Sequence, residues 1–131
     1  GNDKATVVTD TGVISDDILR RIDDTTLLVL EANYDPHMLR FGPYQPFLKQ
    51  RVASDEGHLS NEMAAQALLM MKRPNFMQVI LAHRSENNNN AVLVTQTIGK
   101  MLVDGGVRIG PEMKLQHGQP NEIVSIRSVK R

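Results

Sequence analysis

KATVVTDTGVISDDILRRIDDTTLLVLE, residues 4–31, decides the fold class. Ala5 to Thr9 is a short β-branched run of the kind a buried strand carries, and it halts at the turn signal Asp10-Thr11-Gly12. Ser15 can then cap a helix. Asp16 and Asp17 favour its first turn, and Ile14, Ile18, Leu19 and Ile22 share one face. Asp23-Asp24 closes the helix, and Thr25 to Glu31 reads as a second buried strand. A strand, a helix and a strand with short joins open an α/β layered sheet.

The rest of the chain extends the pattern. Residues 32 to 57 are less regular, because Pro36, Pro43 and Pro46 break any long element. Short helices fit at Pro36 to Arg40 and at Pro46 to Ala53. Ser60 caps a helix over Asn61 to Lys72, rich in Ala, Leu and Met. Met77 to Ala82 is a third buried strand, and Glu86 to Asn90 a polar loop. Ala91 to Asp104 is a helix with Val94, Ile98, Met101 and Leu102 inward, ended by Gly105-Gly106. Met113 to Gln116 and Ile123 to Ser128 complete the expected strands. No internal repeat or linker stands out, so the 131 residues are one domain or part of a larger one.

Composition excludes several classes. Fifteen basic residues balance fifteen acidic ones, so no net basic field marks a nucleic-acid binder, although a local patch could exist. With no cysteine there is neither a disulfide framework nor a thiolate metal site. No apolar run approaches the roughly 18 residues of a membrane span. Gly1-Asn2-Asp3-Lys4 lacks the basic and apolar regions of a signal peptide, so the expected location is the cytoplasm. Aromatic residues at 4%, with no Trp, argue against a stacking platform for single-stranded nucleic acid.

Polar residues recur at strand ends. Asp10 and Glu31 close the first and second strands, and His83 follows the third. The carboxyl ends of aligned strands form the rim on which α/β proteins build sites. His58 precedes a helix start, whose N–H groups and positive dipole end suit an anion such as phosphate. An Asp and a His from separate strand ends suit Zn²⁺ or Mn²⁺, but two ligands fall short of the three that a catalytic zinc takes from protein. Taken singly, each residue has a structural reading: Asp10 as a turn residue, His83 as a hydrogen-bonded strand-end histidine, His58 as a loop histidine, Glu31 as an ordinary terminal charge. His37 and His117 follow no buried strand, and the methionines read as core filler. Spacing alone leads to an α/β domain with a candidate site at the strand ends.

Four segments carry a resemblance. They are Val8-Thr9-Asp10-Thr11-Gly12, Leu30-Glu31-Ala32-Asn33-Tyr34-Asp35 with His37-Met38-Leu39-Arg40, Ser54-Asp55-Glu56-Gly57-His58-Leu59-Ser60-Asn61-Glu62, and Leu81-Ala82-His83-Arg84-Ser85-Glu86-Asn87-Asn88. In this order they resemble the C-terminal half of metallo-β-lactamase-fold hydrolases, nearest to the YycJ-like (WalJ-like) bacterial exonucleases and more distantly ribonuclease Z. The resemblance covers residues 5 to 117. It implies that Asp10 bridges two divalent metal ions, Zn or Mn, and that His83 ligates one. It further implies that His58 contacts the scissile phosphate and protonates a leaving oxygen, with Glu31 orienting it. His37 matches no ligand and is read as structural.

The family's first motif, His-x-His-x-Asp-His, and its middle histidine ligand do not occur in these 131 residues. The expectation is therefore a partial domain over 1–131: one sheet with flanking helices, half of a four-layer αββα sandwich, inactive alone. The parent would be a metal-dependent phosphodiesterase, a DNA exonuclease acting on nucleic acid and not on membranes. Alternatives keep the fold with another substrate (a tRNA precursor, thioester, lactone or β-lactam), or make the chain a non-catalytic binding or assembly module. Half of such a sandwich would bare an apolar sheet face, so homo-oligomerisation is also expected.

Overall fold

A computed structural model describes residues 3–118 of the chain. In order it contains β1 (Ala5–Val8), α1 (Asp16–Ile22), β2 (Leu27–Glu31), α2 (Pro36–Phe41), α3 (Pro46–Val52), α4 (Asn61–Met70), β3 (Met77–Ala82), α5 (Ala91–Asp104) and β4 (Met113–His117). The strands lie side by side as β1-β2-β3-β4, every pair parallel. This is the α/β class expected from the sequence. One sheet flanked by helices is also what half of a metallo-β-lactamase-type sandwich would contain.

Local chemistry sets the boundaries. Ser15, Asp35, Ser60 and Asn90 each cap a helix by accepting from a backbone N–H three residues on. Pro36 and Pro46 sit in first helical turns, where a missing N–H costs nothing. α4 stops at Met70, short of the expected Lys72, because Met71 turns extended and the Lys72 N–H leaves the helix to donate to Asp23 Oδ1. β2 begins after Thr25 and Thr26, whose hydroxyls bond to Thr6 and Lys4 instead. β4 runs one residue further than expected, so His117 ends a strand after all. The candidate strand Ile123 to Ser128 lies outside the described residues.

Crossovers between adjacent parallel strands are right-handed, which places the connecting helices on one face of the sheet. The buried core obeys this: its strand members, among them Val8, Leu28, Leu30, Val79 and Leu81, all point to one side. Ile22, Leu68, Ile98 and Leu102 meet them from the helices. The opposite face contributes no residue to that core, and there Val7 is 54% exposed while Leu27 and Ile80 are half-buried. Among the described residues no helix is long and apolar enough to cross a membrane.

Candidate metal centre at the carboxyl edge of the sheet

β2 is flanked by β1 and β3, so its last residue, Glu31, has the two neighbouring strand ends on either side, each about 5 Å away. Asp10 comes off β1, His83 comes off β3, and His58 arrives from the loop between α3 and α4. All four residues singled out from the sequence converge: they can each offer one ligand atom within 4.8 Å of the others.

Glu31 organises the group. It is fully buried, and both of its oxygens are filled. Oε1 accepts from the Asp10 N–H at 2.9 Å and from His83 Nδ1 at 2.7 Å. Oε2 accepts from His58 Nδ1 at 2.9 Å and from the Leu59 N–H at 3.0 Å. A carboxylate only accepts, so both imidazoles present N–H at Nδ1, and each Nε2 faces away from Glu31. Carboxylate-oriented histidines of this kind serve as ligands through the other nitrogen. Four donors occupy both Glu31 oxygens, so in this arrangement the carboxylate orients the groups around it. The sequence reading had Glu31 orient His58; the structure shows that it holds His83 equally.

The backbone is constrained where Asp10 and His83 emerge. Asp10 and His83 both have φ of 59°, a left-handed conformation uncommon outside glycine. Each is pinned: Asp10 by its N–H to Glu31, His83 by its carbonyl, which accepts from Asn33 Nδ2 at 2.7 Å. Strain held by neighbouring bonds marks a place where side-chain direction is enforced. The Asp10 carboxylate stands 3.7 Å from His83 Nδ1 and is 72% exposed, and the two rings pack edge-on with centroids 5.2 Å apart. A divalent cation fits this donor set: an open carboxylate beside imidazole nitrogens, on the hard-to-borderline side of ligand chemistry.

Two clefts meet at His58. The larger, about 360 Å³, also borders His83, Arg84, Ser85 and Tyr44. The smaller, about 250 Å³, borders Asp10, Arg51 and Glu56. The α4 N-terminus is not the anion seat expected from its sequence. Ser60 and Asn61 are buried, the Asn61 N–H donates to the Tyr34 carbonyl, and Ser60 Oγ takes the Met63 N–H. The helix start is used to anchor the loop after β2.

The asparagines were missed as a structural device. Asn61 and Asn89 exchange two buried side-chain hydrogen bonds, and Asn89 also donates to the Ala32 carbonyl. The Asp35 N–H donates to the Asn88 carbonyl, and Asn90 caps α5. Glu86 to Asn90 is a polar loop, as expected, but its Asn88 and Asn89 are buried and join the strand ends that bear Glu31 and His83. Its one visible signal was four consecutive asparagines at 87–90. His37 is exposed on α2 against Phe41. His117 bonds to Thr95 Oγ1, and burial, with Arg84 as the lesser cause, holds its imidazole below the usual range.

A buried carboxylate aligning two imidazoles beside an open aspartate, on the carboxyl rim of a parallel sheet, is a group of the kind that could hold a divalent cation. The chain is 33% identical over 128 residues to "Exodeoxyribonuclease YycJ" of Bacillus anthracis and over 129 residues to "Exodeoxyribonuclease WalJ" of Streptococcus pneumoniae strain D39. In each case 98% of this chain aligns, spanning 48% of the relative's length. The chain is thus a relative of the YycJ and WalJ proteins over nearly its whole length, as the four segments implied, and it spans about half the length of these curated relatives. No family model and no solved structure matches it.

Proposed function

We propose that this chain forms one side of a two-metal centre that hydrolyses phosphodiester bonds, and that the protein carrying it is a cytoplasmic DNA exonuclease. The observation that carries the reading is the double clamp by Glu31, which fixes both imidazoles at Nδ1 and turns both Nε2 atoms outward. Asp10 and His83, adjacent to each other, would hold the metal; bound Zn²⁺ or Mn²⁺ would supply Lewis-acid polarisation of the phosphoryl oxygens. His58 bonds to the Glu31 carboxylate, and it borders both clefts. Its Nε2 is placed to pass a proton to a leaving oxygen, with Glu31 keeping the ring in line.

The two ligands Asp10 and His83 are fewer than two metal ions take from protein. The remaining ligands, the His-x-His-x-Asp-His motif among them, would come from sequence beyond this partial domain, and the chain by itself is expected to be inactive. The sheet face opposite the core, where Val7 is exposed and Leu27 and Ile80 are half-buried, would then be the seat of that missing half, or of a second copy of the chain. The test is digestion of end-labelled oligodeoxynucleotides by the complete protein with Mn²⁺ or Zn²⁺. Mononucleotide release that His83→Ala abolishes is the expected result. Full activity in that variant, or hydrolysis of a thioester or lactone with DNA left intact, refutes the reading.

A further inference from the structure

The low aromatic content argued against a stacking platform, but it is unevenly placed: three of the five Phe and Tyr residues, Phe41, Tyr44 and Phe47, lie within one short stretch. That stretch, residues 36–54, contains no Asp or Glu but carries Arg40, Lys49 and Arg51. A chain of zero net charge therefore has, on the α2–α3 segment, most of its Phe and Tyr rings beside cations that no acid of the same stretch offsets. Both phenylalanines face solvent, Phe41 at 69% and Phe47 at 66% exposure, where burial gives them no structural reason to be aromatic. The Arg40 guanidinium lies 5.5 Å from the centre of the Phe41 ring, so a phosphate-binding charge and a stacking surface occur together. The segment also leads into the site: Tyr44 and Val52 border the larger cleft with His58 and His83, and Arg51 and Val52 border the smaller one with Asp10.

We infer that the α2–α3 segment is a track for single-stranded nucleic acid, with Phe41, Tyr44 and Phe47 stacking on bases and Arg40, Lys49 and Arg51 meeting phosphates on the way to His58. Base–aromatic stacking tolerates every base, and the cations follow the backbone, so the track is indifferent to sequence. A duplex offers no unstacked base to the rings and is bound less well. The inference deepens the nuclease reading and rests on it for the destination of the strand, while the binding itself needs neither metal nor turnover.

Fluorescence anisotropy of a labelled oligothymidine strand, with the 131-residue chain at low salt and no metal, tests it. Phe41→Ala and Phe47→Ala, both at exposed positions that leave the core intact, are each expected to weaken binding on the order of 5-fold or more. Phe47→Leu should weaken it as much, because leucine has no π face. Arg40→Gln and Arg51→Gln should each flatten the log–log salt dependence by about 0.7. Absence of binding by the chain, affinity unchanged in the alanine variants, rescue by leucine (an apolar protein-docking surface) or equal affinity for duplex overturns the proposal. The two readings fail separately. Strand binding that depends on the rings without any hydrolysis removes the nuclease reading alone, and hydrolysis with affinity and KM unchanged in the ring variants removes the track alone.

Discussion

Replacing Glu31 with Gln keeps the size and shape of the side chain and removes half of what it does. The native carboxylate accepts four hydrogen bonds, at 2.9, 2.7, 2.9 and 3.0 Å, in a position with no solvent exposure. A glutamine has one oxygen and one NH₂, so either the Asp10 N–H and His83, or the Leu59 N–H and His58, must face donors. The facing histidine can switch tautomer and accept, but the backbone N–H cannot. That switch would place the proton on Nε2, the nitrogen needed for a metal. At about 1.5–3 kcal/mol for each hydrogen bond to a charged group, losing one with the histidine switched, or two without, costs about 1.5–6 kcal/mol. Urea denaturation followed by circular dichroism reads this as a lower midpoint with unchanged slope. A midpoint within about 0.5 kcal/mol of the native chain would refute Glu31 as the organising acceptor.

The metal assignment separates the two histidines: in the complete protein His83→Ala should lose bound metal, while His58→Ala should keep it and lose turnover, as read by metal content after dialysis. Equal metal loss in both variants would make His58 a ligand. Gly12 approaches the α3–α4 loop so closely that an added Cβ would sit 1.7 Å from the Ser54 carbonyl oxygen. Gly12→Ala should therefore cost about 2–4 kcal/mol by pushing Asp10 and His58 apart, measured in the same denaturation assay. Glu62 has its carboxyl raised above the usual value, first by burial and then by Asp35. A raised carboxyl favours folding below its unfolded pKa, and that contribution is lost as pH rises through the folded pKa. Glu62→Gln should thus raise the thermal midpoint by about 1–2 °C at pH 7 and leave it unchanged near pH 3.

Which features were legible follows from their range. Ser15, Ser60 and Gly105 mark helix ends through bonds that reach a few residues, and the apolar runs at 27–31 and 77–82 mark buried strands by themselves. Those signals are local, so composition and spacing carry them. The resemblance supplied what spacing could not, namely that Asp10, Glu31, His58 and His83 belong to one site. The anion seat at the α4 start misled because a helix N-terminus looks the same in sequence whether it opens to solvent or is taken up, as here, by the Tyr34 carbonyl.

By itself the sequence determined an α/β chain, the order of its elements and the residue types at the strand ends. Only tertiary structure decided that β2 runs between β1 and β3, all parallel, which brings Asp10 and His83 to opposite sides of Glu31. Glu31 bonds partners 21, 27 and 52 residues away, and no local pattern encodes a register between strands so far apart. The same holds for the asparagine joint and for the acid-free aromatic segment, which acquires meaning from lying against His58. Side-chain chemistry is written residue by residue, whereas its convergence depends on how the sheet packs, and packing is a property of the whole core.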